Sequence, residues 1–154
     1  MSRFYSLQFS NVSISAVQDL FSVLSTANMA FKLCEFQLSA DASTTVAELR
    51  LAIKRLPATV TVGSAGSAVT PQPMDAKGPA ATVTARSNDT TQATTTGTAV
   101  TLFSASINVL NGWQFLPPPE YRPTFTVSQA MVITMEVAPS ATVFDGYAVI
   151  EEIL

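Results

Sequence analysis

The sequence predicts an all-β fold, an antiparallel β-sandwich of jelly-roll-like architecture with about eight strands, in one domain spanning residues 1–154. Three observations lead there. Apolar and polar residues alternate with period two through most of the chain, the runs have ordinary strand length, and Gly, Pro, Ser and Thr clusters separate them. With 47% apolar residues, a chain of this size can bury one core of its own, about 70% of the surface the unfolded chain exposes.

In chain order, the first strand sets Tyr5, Leu7 and Phe9 on one face and Phe4, Ser6 and Gln8 on the other. Residues 17–24 carry two signals. Val17, Leu20, Phe21 and Leu24 stand at helical spacing, whereas Leu20-Phe21-Ser22-Val23-Leu24 also reads as a short buried strand, and its aromatic and β-branched content favours the strand. Cys34, between Leu33 and Glu35, belongs to an apolar strand as a small buried hydrophobe. The cleanest alternation follows, with Leu49, Leu51 and Ile53 inward and Glu48, Arg50, Ala52 and Lys54 outward.

Residues 63–79, with Gly63, Gly66, Pro71, Pro73, Gly78 and Pro79, read as a long loop without a packed element. Val83 and Ala85 then alternate with Thr82, Thr84 and Arg86, and residues 87–98 read as a polar exposed arm or hairpin tip. Further strands surround Val100 and Leu102, then Val132, Thr134 and Glu136, and finally residues 144–153 around a turn-like Asp145-Gly146.

Composition excludes several chemistries. The chain has no histidine, so it has no Ser-His-Asp or Cys-His catalysis and no His-ligated metal. A single cysteine gives no intrachain disulfide. Eight basic residues dispersed among eleven acidic ones, for a net charge of −3, do not make a nucleic-acid-binding surface. The start of the chain lacks the charged and apolar blocks of a signal peptide, and the uncharged stretch 90–119 is too rich in Thr, Ser, Asn, Gln and Pro for a membrane span. The expectation is a soluble protein without cofactor, metal, nucleic acid or membrane.

No local pattern marks a catalytic pair. Glu151 and Glu152 point to opposite faces of a strand and read as a solvated end, and Asp19, Asp41, Asp75, Asp89, Glu120 and Asp145 mostly lie in or beside turn-forming sequence. Arg50, Lys54 and Arg55 form a basic cluster, read as a solvated face balanced by Glu48. The most distinctive stretch runs from Asn111 to Phe125. It holds Trp113, Phe115, Tyr121 and Phe125 around Pro117, Pro118 and Pro119, with Arg122 beside them, and these eight residues are the interface candidates. The aromatics fit either a plug of the sandwich core or a binding surface.

Taken together, three sets of residues resemble the small β-sandwich decoration or cement proteins of tailed bacteriophages. They are Phe4-Tyr5-Ser6-Leu7-Gln8-Phe9 with Val12 through Phe21, then 48–56, and then Gly112-Trp113-Gln114-Phe115-Leu116-Pro117 with Glu120 and Arg122-Pro123. The closing strand from Gly146 to Glu152 fits the same outline, so the likeness spans nearly the whole chain. It implies a virion protein on the outer capsid surface, a homotrimer bridging copies of the major capsid protein, with no catalytic residue to carry over. Three other readings remain open: a sugar-binding module stacking ligands on Trp113 and Tyr121, an enzyme hydrolysing a glycan with an Asp or Glu, and a fibre or tail component.

Overall fold

A computed structural model describes residues 3–26, 28–42 and 46–153. Eight of its strands are six residues or longer: β1 (Arg3–Ile14), β2 (Gln18–Leu24), β3 (Ala30–Ala42), β4 (Glu48–Leu56), β8 (Thr84–Asp89), β10 (Val100–Asn108), β13 (Ala130–Met135) and β14 (Thr142–Ile153). Six short ones complete the set: β5 (Val60–Thr61), β6 (Ser67–Val69), β7 (Gln72–Pro73), β9 (Thr94–Thr95), β11 (Trp113–Phe115) and β12 (Thr124–Phe125). One sheet has the order β11-β3-β14-β1-β7, with β12 also on β3. The second has the order β10-β4-β13-β2-β8-β6, and β5 pairs with β9 alone. Every pairing is antiparallel.

The order β3-β14-β1-β7 in one sheet matches β4-β13-β2-β8 in the other, strand for strand, as neighbours in sequence. The chain therefore changes layer at each of these four junctions, the wrapped course of a jelly-roll-like sandwich. Between the layers, β14 buries alternate residues along its whole length, including Phe144, Ala148 and Ile150. Phe21 of the second sheet lies 5.3 Å from the Phe9 ring and 6.3 Å from the Phe36 ring, both on the first sheet.

Residues 17–24 had two periodic readings because their strand is covered on both sides. From Gln18 to Val23 every residue of β2 is buried, as is every residue of β13. The second face carries a separate apolar cluster of Leu56, Ala130 and Val132, against which Val60 and Ala93 pack. A strand wrapped in this way loses the alternation of a half-exposed one.

Two segments read as loops are partly sheet. Within 63–79, β6 pairs with β8 and β7 pairs with β1. Gly66 makes the first pairing feasible, since a Cβ there would sit 2.2 Å from the Ser87 carbonyl oxygen. Within 87–98, Ser87 and Asp89 are buried in β8 and Thr94–Thr95 forms β9. Asp145-Gly146 makes no turn either. β14 runs straight through it, and Gly146 faces the Phe9 ring, which a Cβ would meet at 2.6 Å.

Replacing Phe21 by Ala is expected to cost about 3–5 kcal/mol of unfolding free energy, the range for deleting a buried aromatic that cannot be refilled. Denaturant unfolding measures it, and a cost below about 1 kcal/mol would mean that this ring does not join the two layers.

Candidate functional site

The stretch singled out in the sequence forms one corner of the sandwich, and its residues divide into anchors and displayed groups. Gly112 enters with φ +65°, and a Cβ there would lie 2.3 Å from the Leu38 carbonyl oxygen. Only glycine brings β11 so close to β3 without strain. Trp113 is half-buried, its ring 5.6 Å from that of Phe36 and 5.9 Å from that of Phe115. Phe115 in turn lies 4.7 Å from Phe103 of β10. On the far side, Phe125 is fully buried and stacks on Phe31 at 5.0 Å, while the Arg55 guanidinium covers its ring at 5.7 Å and donates to the Thr124 carbonyl at 3.1 Å.

Between these anchors the backbone is stiffened by proline. Pro117 and Pro123 are buried, and the Pro123 carbonyl accepts the Leu33 N–H at 3.1 Å. Pro118 and Pro119 are exposed and lead into a single 3-10 turn, Pro119–Tyr121, closed by the Tyr121 N–H on the Pro118 carbonyl at 2.9 Å. Tyr121 is 71% exposed and Leu116 62% exposed, so two large side chains stand in solvent on this corner. Arg122 is half-buried. Leu116 was not among the sequence candidates. Its place between buried Phe115 and buried Pro117 is the signal that strand alternation offered.

The basic cluster also divides. Arg50 and Lys54 both grip Glu136, at 2.8 and 2.6 Å, so the balancing carboxylate is Glu136 on the neighbouring segment and not Glu48. The Lys54 ammonium, with Arg50 behind it, holds the Glu136 carboxyl below the usual glutamate range. Arg55 turns away to Phe125. Cys34 is buried, its thiol donating to Glu151 Oε2 at 3.9 Å, and burial pushes that thiol up, away from the reactive thiolate.

Three acids placed at turns or at a solvated end are instead buried clamps. Glu152 is fully buried, and its Oε1 accepts the Thr82 N–H at 2.6 Å, the Thr82 hydroxyl at 2.8 Å and the Val83 N–H at 3.0 Å. Its parity with Phe144, Ala148 and Ile150 along β14 placed it on the inner face. Asp89 takes a two-pronged contact from Arg86 at 2.8 Å on each oxygen and the Gly66 N–H at 3.0 Å. Asp19, directly across the β2–β8 ladder from Asp89, accepts the Ala93 N–H at 2.7 Å and the Gln92 side-chain amide at 3.2 Å. Each carboxylate is directed at loop backbone.

A depression of about 590 Å³ lies away from the corner between β1 and the β6–β8 edge, and its lining side chains, among them Gln8, Ser10, Ser13, Gln18, Ser67 and Asn88, are uncharged. Among the described residues no three acid or cysteine side chains are grouped to hold a metal ion, and no helix is long and apolar enough to cross a membrane. Compared with models of protein families, with curated proteins and with solved structures, the chain gives no match.

Burial raises the Asp19 carboxyl above its ordinary value, more than its hydrogen bonds lower it. An acid raised on folding favours the native state most when protonated, and that contribution is lost as pH rises through the raised value. The stability of the wild type relative to Asp19→Asn is therefore expected to fall over this interval, read as the difference in Tm from about pH 3 to about pH 8. A difference independent of pH would mean that folding does not desolvate Asp19.

Proposed function

We propose that the chain is a non-enzymatic virion structural protein, a decoration or cement protein that binds the outer surface of an assembled tailed-phage head and stabilises it by bridging copies of the major capsid protein. The observation that carries this reading is the corner around Tyr121. Leu116 and Tyr121 stand exposed on a proline-stiffened turn that Trp113, Phe115, Pro117 and Phe125 tie into the core on either side. Side chains held in place before contact lose little conformational freedom on docking, which favours a fixed apolar anchor on a rigid partner surface. The low charge of the chain supports the same reading, because few ions must be stripped of water when such a surface is covered.

A ligand that binds only the assembled, expanded shell stabilises that state by mass action. Many symmetry-related sites let a modest energy per copy add up over the whole shell. The segments 63–79 and 87–98, with strands of their own in the sheets, supply the frame in this reading and not free arms.

Co-sedimentation with empty phage heads tests the proposal. The wild type is expected to pellet with expanded shells and not with their precursors. The double substitution Leu116→Ser with Tyr121→Ala is expected to weaken that binding at least about tenfold, with unfolding free energy changed by no more than about 0.5 kcal/mol. Failure to bind any shell, together with glycan binding abolished by Tyr121→Ala, would replace this reading with a carbohydrate-binding one.

A further inference from the structure

The edges of the two sheets are unequally protected. On the first sheet one edge is formed by β11 and β12, three and two residues long and separated by Pro117, Pro118, Pro119 and Pro123. The other is β7, two residues including Pro73, and the part of β1 beyond it is broken by a bulge between Phe9 and Val12. At one side of the second sheet, β6 has three residues. Short edges, prolines and bulges are the devices by which folded proteins prevent strand pairing between molecules. β10, at the other side, has none of them over most of its length. It runs nine residues without proline or charge, and after an irregularity between Thr101 and Phe103 it keeps one-to-one register with β4 from Phe103↔Ile53 to Asn108↔Glu48. Its outward backbone groups form no ladder among the described residues.

We propose that β10 pairs antiparallel with β10 of a second copy across a two-fold axis at Ala105, joining the two six-stranded sheets into one. The strand's chemistry selects its own copy as the partner. With Ala105 opposite itself, Phe103 falls opposite Ile107 and Ser104 opposite Ser106. Phe103, half-buried, and Ile107, buried, belong to the core-facing side, whereas Ser104 and Ser106 are exposed on the other. Directly opposed residues in an antiparallel pair share a face. Apolar Phe103 and Ile107 would thus meet each other, the hydroxyls of Ser104 and Ser106 would meet each other, and although Leu102 falls opposite the Asn108 amide, no charge is left opposite an apolar group. The backbone groups of the edge gain the partners that β4 gives on the inner side. Such a contact is isologous and closes at two copies, whereas a three-fold ring needs two different surfaces to meet. It rests on the edge alone and does not require the capsid reading.

Sedimentation velocity on the full chain, in the absence of any shell, tests it. The wild type is expected to form a dimer in the micromolar range. Ser104→Lys with Ser106→Lys places like charges directly opposite and is expected to raise the dissociation constant at least about tenfold, while Ser104→Lys with Ser106→Glu places opposite charges there and is expected to restore the dimer. Both variants change exposed side chains only, and circular dichroism confirms their fold. A wild type that is monomeric throughout or forms a trimer would overturn the proposal, as would a dimer that the Lys/Lys pair leaves intact or that the Lys/Glu pair fails to restore.

Discussion

Buried carboxylates binding loop backbone are the interaction on which the irregular half of this molecule depends. Charged residues make up only 12% of the chain, yet three acids lie in its interior: Asp19, Asp89 and Glu152. Each accepts main-chain N–H groups from a segment that otherwise has only short strands and scattered contacts to hold it. Asp89 secures Gly66 at the start of β6, Glu152 secures Thr82 and Val83 at the approach to β8, and Asp19 secures Ala93 over the outer face of the second sheet. A buried carboxylate is costly unless its oxygens are engaged, and a charge-assisted bond to a backbone amide is among the stronger ones available. The same contact therefore satisfies the acid and fixes the loop. Glu152 is engaged on one side only, since its Oε2 is buried without a hydrogen-bond partner.

The aromatic corner follows a different logic, because its position is set by apolar packing and by proline. Trp113 and Phe115 close the end of the core near Phe36 and Phe103, Phe125 stacks on Phe31, and the prolines hold the intervening turn away from the sheet. The residues of this stretch divide between interior and surface: Phe115, Phe125 and Pro117 belong to the core, and Leu116, Pro118, Pro119 and Tyr121 face solvent. The proposed capsid-binding role rests on the second group, and its geometry rests on the first.

The fold was legible because strand alternation is a local property. β14 alternates in burial at every residue, and β4 alternates from Glu48 to Leu51, beyond which Ala52, read as outward, is buried beside Ile53 because that face of the sheet is covered as well. β2 did not show it, because Gln92 and Ala93 bond Asp19 on its second face, and contacts from residues about seventy positions away leave no local trace. The short strands β6 and β7 escaped for a related reason. Gly66 and Pro73 read as loop residues, and only their partners β8 and β1 make strands of them. The clamps were half legible. The parity of Glu152 with Ile150 and Ala148 marks it as inward-facing, but neither Thr82 as its partner nor Arg86 and Gly66 as partners of Asp89 can be derived without the three-dimensional arrangement. Glu136, which takes the place expected for Glu48, is of the same kind: its link to Arg50 and Lys54 joins β4 to the residue that follows β13, brought together only in the folded chain.

Native-state hydrogen exchange, resolved by residue and compared between the wild type and Glu152→Gln, tests most directly whether a buried carboxylate holds its loop. Neutral amide acceptors bind more weakly than carboxylates by a factor of about two in energy. The amides of Thr82 and Val83 are expected to exchange roughly tenfold faster in the variant, while those of β13 and the centre of β3 keep their protection. Unchanged exchange at Thr82 and Val83, or a uniform loss of protection through both sheets, would contradict the account.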